Sequence, residues 1–177
     1  AKAPMARTIL DVSMNLHAGT PTWPGDPEPV LRRVSDVSLG DEASVTAISL
    51  SAHAGTHVDA PAHYLPGGRT VDELDLDALV GPVVVASLPD VDRVTAEALD
   101  GLALPAGTER LILHTRNSDR GGRGDPVGLD DLVAVTADGA RWLVERGIRL
   151  VGIDGLSIAP VDQIAETHVI LLEAGII

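Results

Sequence analysis

The sequence has no cysteine and no phenylalanine, and only one tyrosine and two tryptophans in 177 residues. Without cysteine there is no disulfide, no thiolate nucleophile and no thiolate-held metal, and compartment cannot be read from redox usage. With aromatics at 2%, valine, leucine, isoleucine and alanine must fill the core. Positive charge is scarce as well: 13 Lys and Arg stand against 26 Asp and Glu, a net charge of −13. Nucleic-acid binding needs a basic surface, so this balance argues against a nucleic-acid partner and disfavours anionic membranes. No apolar run approaches the roughly 18 residues of a membrane span. Residues 1–7 carry no signal-peptide pattern and read as a disordered N-terminus or a cloning remnant, which makes cytoplasmic the default localisation.

What is present is a globular balance, 45% hydrophobic and 22% charged, at a length suited to one domain with a real core. Short strand-like runs fall at residues 8–13, 30–34, 44–51, 83–86, 110–114 and 149–153, that at 83–86 apolar enough for a buried strand. Helical patterns cover 95–99, capped by Thr95, and 136–146, where Ala140, Leu143 and Val144 share a face before Gly147; a third covers 166–175. Strands outnumber helices without regular βα alternation, which predicts a mixed α/β domain. Residues 19–29 hold four prolines and form a stiff loop carrying Trp23, an apolar plate that covers either the core edge or a substrate. Asp72, Glu73, Asp75 and Asp77 lack the spacing of a calcium loop and read as a solvated face. Residues 118–128 read as a mobile glycine-rich loop without a phosphate-binding pattern. His17 reads as a solvated loop residue, His114 as structural, Tyr64 and Trp142 as packing residues, and Asp154, at a strand end, as either a ligand-orienting or a turn-forming group.

The chemistry is concentrated in His53-Ala54-Gly55-Thr56-His57-Val58-Asp59-Ala60-Pro61-Ala62-His63, which holds three of the six histidines and a carboxylate. Imidazole and carboxylate are ligands of choice for zinc and related ions, and imidazole is the commonest acid–base group. A straight strand would aim residues 53, 57, 59 and 63 at one face, yet hold His53 and His57 about 13 Å apart. Gly55 and Pro61 make a continuous helix unfavourable. The chain must therefore bend inside the motif to chelate an ion.

The form H-x-G-T-H-x-D-x-P-x-H resembles the signature of the metal-dependent cyclase-like hydrolases, which include bacterial kynurenine formamidase (arylformamidase) and isatin hydrolase. Thr20-Pro21-Thr22-Trp23-Pro24-Gly25-Asp26-Pro27 is similar to that family's T-P-x-W-P-G-D segment. Leu150-Val151-Gly152-Ile153-Asp154-Gly155-Leu156-Ser157 is similar to its V-G-I-D-x-x-S strand and turn. The likeness runs from about Ile9 to the last residue.

The resemblance implies a compact β/β/α fold over residues 8–177, a homodimer or larger oligomer, and a small-molecule substrate. It implies that His53, His57 and Asp59 hold one divalent ion, zinc first and manganese as the alternative. A second would be shared by Asp59, His168 and a glutamate about a dozen positions after His168, beyond Ile177, so that the domain reads as lacking its C-terminal segment. It implies that metal-bound hydroxide attacks the carbonyl while His63 serves as general acid–base. The Trp23 loop would close over an aromatic substrate. The reaction it favours is hydrolysis of N-formylkynurenine to kynurenine and formate, a step of tryptophan catabolism. The alternatives are an isatin hydrolase-like cyclic amide hydrolase, a polyketide-type cyclase, and a non-catalytic metal- or ligand-binding homologue.

Overall fold

Whether a strand-like run becomes a strand depends on finding a partner, and here that decides more than periodicity does. The computed structural model describes residues 9–121 and 128–177; residues 1–7, read above as disordered or a remnant, lie outside them. The chain divides into two compact units, Ala1–His57 and Val58–Ile177.

In the first unit, β1 (Val30–Ser35) and β2 (Val45–Ser49) pair antiparallel, with Val30 opposite Ser49 and a register shift between Arg33 and Ser35. Asp36 shapes their connection by accepting hydrogen bonds from the Ser38 N–H and hydroxyl, and Gly40 closes the turn at φ +98°. Residues 9–13 correct the sequence reading, because they form no strand. They alternate apolar and polar side chains but have no partner among the described residues. Instead Asp11 accepts from the Ser13 N–H at 2.9 Å and its hydroxyl at 2.6 Å, a local arrangement that competes with a ladder. Residues 19–29 are neither helix nor strand, as their prolines require. His17 is an exposed turn residue whose ring accepts from the Gly19 N–H.

The second unit runs α1 (Leu76–Leu79), β3 (Val84–Leu88), α2 (Ala96–Asp100), β4 (Arg110–Thr115), α3 (Asn117–Gly121), α4 (Ala137–Glu145), β5 (Leu150–Ile153) and α5 (Ile164–Glu173). Its three strands form a parallel sheet in the order β3-β4-β5. Central β4 carries the apolar run Leu111-Ile112-Leu113, with Leu111 and Leu113 fully buried on one face, Ile112 half-buried and His114 exposed on the other. β3 corrects the expectation of a buried strand: Ala86 and Leu88 are buried, but Val83 and Val85 are 49% and 65% exposed. It lies at the sheet edge, with one face covered. α4 packs on α2 and α5 and puts Ala140 and Leu143 into a core with Leu99 and Leu171. Val144 is 36% exposed rather than part of that stripe, although it shares a face with Ala140. Trp142 packs as expected, its Nε1 donating to Asp100 and the Arg146 guanidinium lying 4.6 Å from its ring centroid.

Asp154, at the end of β5, accepts from the N–H and hydroxyl of both Thr115 and Ser118, at 2.5–2.8 Å for the shortest pair of contacts to each. These bonds reach 36 and 39 residues back along the chain, so they tie the end of β5 to the end of β4 and the start of α3 rather than forming a local turn. By accepting from Ser118 it also organises the start of α3, so residues 118–121 are helical where the sequence reads as loop; residues 122–127 of that stretch lie outside the described residues. His114 is exposed beside the Ser87 hydroxyl, and Asp72, Glu73, Asp75 and Asp77 are all exposed, as expected. Ile177 hydrogen-bonds to β5 through Val151 and Arg149. The α/β class is therefore as expected, expressed as a small antiparallel sheet and a parallel one. No helix of the described residues is long and apolar enough to cross a membrane.

Candidate metal centre

The histidine motif begins four residues beyond the end of β2, and loop contacts within the first unit set its bend. Gly55 adopts φ +65°, and its N–H donates to the Pro21 carbonyl at 3.2 Å. The Met14 N–H donates to the Thr56 hydroxyl at 3.0 Å. Ser51 donates its hydroxyl to Asp26 at 2.7 Å and accepts from the His53 N–H at 3.2 Å. The Pro21 to Asp26 segment is thus a brace for the motif as well as the carrier of Trp23, which is half-buried at the head of the Trp23–Asp26 turn. The bend brings the rings of His53 and His57 to 5.0 Å between centroids, nearly perpendicular. An extended chain would separate them by about 13 Å.

Gly55 has little tolerance for a side chain. A Cβ there would lie 2.9 Å from the Thr20 methyl, and Thr20 is buried. Gly55→Ala is expected to cost about 1–3 kcal/mol from the positive φ alone and to reduce metal retention, read by thermal unfolding and elemental analysis. Unchanged stability and metal content would show that the bend is not needed.

Within the second unit, a 3-10 turn over Pro61–His63 carries His63, and Gly68 packs against it so closely that a Cβ would lie 2.7 Å from the Pro61 carbonyl carbon. His168 arrives from α5, which Thr167 ties to the Val135 carbonyl. The donor atoms of Asp59, His63 and His168 all lie within 4.8 Å of one another. Asp59 Oδ2 is 3.6 Å from His168 Nε2. Two donors each about 2.0–2.1 Å from one tetrahedral ion sit roughly 3.3 Å apart, so this spacing suits shared ligation. His168 is buried and His63 exposed, which separates them by access to solvent.

Ring tautomers follow from the hydrogen bonds. His168 Nδ1 lies 2.5 Å from the Ile164 carbonyl, and His57 Nδ1 lies 2.8 Å from the Gly55 carbonyl. A carbonyl can only accept, so each Nδ1 carries the proton and each Nε2 the lone pair that a metal needs. Nitrogen and carboxylate donors with no sulfur match zinc and manganese alike. The residues therefore fit a divalent ion. The unit boundary falls between His57 and Val58; His53 and His57 belong to the first unit, and Asp59 follows two residues later along the chain.

Tyr64 has a larger place here than its neighbourhood in sequence suggested. Its ring stacks on His168, with centroids 4.5 Å apart and planes 18° from parallel, and meets His63 edge-on at 4.6 Å. Burial, and then the negative charge of Asp59, hold its hydroxyl above the ordinary tyrosine pKa. Sequence reasoning also missed Asp26 and Ser51. The signal for Tyr64 was adjacency to His63; Asp26 sits in a quoted motif, but its partner lies 25 residues away.

Comparison with known proteins gives this geometry a lineage. The Cyclase family model, described as "Putative cyclase", matches residues 10–160. Cyclase-like protein 1 of Oryza sativa subsp. japonica is 37% identical over 172 residues, covering 93% of this chain and 63% of the rice protein. The kynurenine formamidase of Paracidovorax citrulli is 33% identical over 173 residues, covering 96% of this chain and 79% of that protein. A solved structure described as a potential metal-dependent hydrolase with cyclase activity matches with a TM-score of 0.78 at 31% identity, over 94% of this chain and 77% of the other. Isatin hydrolase A from Labrenzia aggregata, bound to benzyl benzoate, matches with a TM-score of 0.74 at 26% identity, over the same shares. The chain spans 63% and 64% of the length of the first two plant cyclase-like proteins it matches. With the family model covering most of the chain and solved relatives sharing its fold, the chain belongs to the Cyclase family.

Proposed function

We propose that this protein is a metal-dependent amide hydrolase of the arylformamidase kind, converting N-formylkynurenine and water to kynurenine and formate. The observation that carries the reading is the gathering of Asp59, His63 and His168, from two separate stretches of chain, with donor atoms within 4.8 Å. Relatives named kynurenine formamidase support the substrate class.

In this reading His53, His57 and Asp59 hold one ion, and Asp59 and His168 contribute to a second. A bound divalent ion supplies Lewis acidity, lowering the pKa of water from 15.7 towards about 7 and polarising the carbonyl. His63, on the exposed side of the cluster, moves the proton. Its neutral ring accepts a proton from the attacking water, and its protonated ring delivers one to the aryl nitrogen as the C–N bond breaks. Buried His168 keeps its orientation through this transfer, because the Ile164 carbonyl and the Tyr64 ring hold it. Trp23, on its stiff loop, covers the aromatic ring of the substrate. Zinc is the first choice of metal and manganese the second.

The isatin hydrolase likeness favours a second reading, opening of a cyclic amide by the same residues. The test is metal content after exhaustive dialysis, followed by hydrolysis assays monitored by absorbance. The expected result is about two zinc or manganese ions per chain and turnover of N-formylkynurenine. Turnover of isatin alone would move the assignment to cyclic amides. Turnover of neither by the metal-loaded protein would leave a ligand-binding homologue. No retained metal, and no uptake on adding zinc or manganese, would overturn the proposal.

A further inference from the structure

We propose that Tyr64 is a positioning residue of this centre: its ring locks His63 and His168 in one mutual orientation, and its hydroxyl is not required. The inference rests on the hydrolase reading for its effect on rate, but on the ring geometry alone for its structural content.

Three rings form a closed triangle. Tyr64 and His168 are stacked at 4.5 Å, Tyr64 and His63 meet at 4.6 Å and 84°, and His63 and His168 meet at 5.6 Å and 79°. None of the three can swing about its side-chain torsions without opening two contacts. Aromatic contacts of these two geometries are favoured over simple burial, each by about two- to tenfold in population. The two imidazoles differ in burial. His168 is buried and anchored through Nδ1 to the Ile164 carbonyl. That bond leaves the tilt of the ring about the Nδ1 direction open, and the Tyr64 face closes it. His63 is exposed at the end of a three-residue 3-10 turn, so the edge-on contact with Tyr64 limits the rotamers from which it can reach a substrate.

The stack also has a sign. An imidazole that donates its lone pair to a cation becomes more positive, and an aromatic face attracts positive charge. The Tyr64–His168 contact therefore strengthens when His168 ligates an ion, and by linkage the ring raises metal affinity. The hydroxyl contributes nothing to this face-on attraction. Among the described residues it donates no side-chain hydrogen bond.

The test compares Tyr64→Phe, which keeps the ring, with Tyr64→Leu, which keeps apolar bulk and loses it. Three readouts apply: zinc affinity by chelator competition, imidazole proton and nitrogen shifts by NMR, and kcat and KM on N-formylkynurenine. Tyr64→Phe is expected to match the unmodified protein within about twofold in all three. Tyr64→Leu is expected to bind zinc about tenfold more weakly, in the range found for groups that orient metal ligands. Its kcat should fall about tenfold with KM little changed, and the His168 ring protons should lose their ring-current shift. Zinc affinity and imidazole shifts unchanged in Tyr64→Leu would overturn the inference. So would a loss in Tyr64→Phe as large as in Tyr64→Leu, which would put the effect in the hydroxyl. If the unmodified protein bound no zinc, the hydrolase reading would fail. The His63 and His168 shifts of the metal-free variants would still decide whether Tyr64 holds the two rings.

Discussion

His63→Ala is expected to keep its metal and to lose about 10²- to 10⁴-fold in kcat, the usual contribution of a positioned proton-transfer group. That loss corresponds to about 2.7–5.4 kcal/mol of transition-state stabilisation. The asymmetry between His63 and His168 motivates it. His168 is 4% exposed, faces Asp59 at 3.6 Å, and has its proton fixed on Nδ1 by a backbone carbonyl. Those are the features expected of a metal ligand in the proposed centre. His63 is exposed on a short turn, where a group that exchanges protons with substrate and solvent belongs. Metal content, kcat and the pH profile should be read together. The variant should retain the ions, lose the pH limb due to the imidazole, and recover part of its rate with added imidazole. Its donor atom does lie within 4.8 Å of those of Asp59 and His168, so ligation is geometrically open to it. Loss of metal in step with rate would make His63 a ligand and sink its acid–base role.

Asp59→Asn should have the larger effect on binding. The substitution keeps the shape of the side chain and removes the one carboxylate in the motif. In the proposed centre that carboxylate serves both ions, so both should be lost. The expected result is no metal retained through dialysis and activity at background, a larger loss than the 10- to 100-fold typical of groups one step removed from the metal. An independent signal comes from Tyr64, the only tyrosine in the chain. Its pKa is raised by burial first and by the Asp59 charge second. Phenolate absorbance in the metal-free variant should therefore titrate at lower pH than in the metal-free parent, while burial keeps it above the ordinary value. Retention of two ions per chain by Asp59→Asn would remove Asp59 from the centre, and an unmoved tyrosine titration would show that its charge does not reach Tyr64.

Features whose causes are local were the legible ones. The Thr95 cap accepts from the Ala98 N–H three residues on, so α2 could be read from a few adjacent letters. α4 declares its buried face through Ala140 and Leu143, and β4 through its apolar run. Residues 9–13 failed because alternation describes a strand's faces and says nothing about whether a partner exists. α3 was invisible because the carboxylate that receives Ser118 comes from Asp154, 36 residues later. At the site, the motif itself announced its donors, and the required bend followed from distance alone. His168 was reachable only by resemblance, since a lone histidine on a helix has many uses. Its burial, its bond to Ile164 and its distance to Asp59 supply the physical reason. Tyr64 could not be assigned because its stacking partner arrives with α5, at the far end of the chain.

The orientation of His57 and His168 by main-chain carbonyls has a consequence for how this centre tolerates change over time. Many metal-binding histidines are oriented by a neighbouring carboxylate, which one mutation can delete. Here the acceptors are the carbonyls of Gly55 and Ile164; every amino acid presents a carbonyl, although the positive φ at position 55 still favours glycine there. For His168 the acceptor lies four residues back, so the helix itself carries it to the ring, whatever side chain occupies position 164. The orientation of these two rings is thereby insulated from most side-chain change around them. In the proposed centre the surrounding side chains would then be free to vary while both rings keep the lone pair that a metal needs.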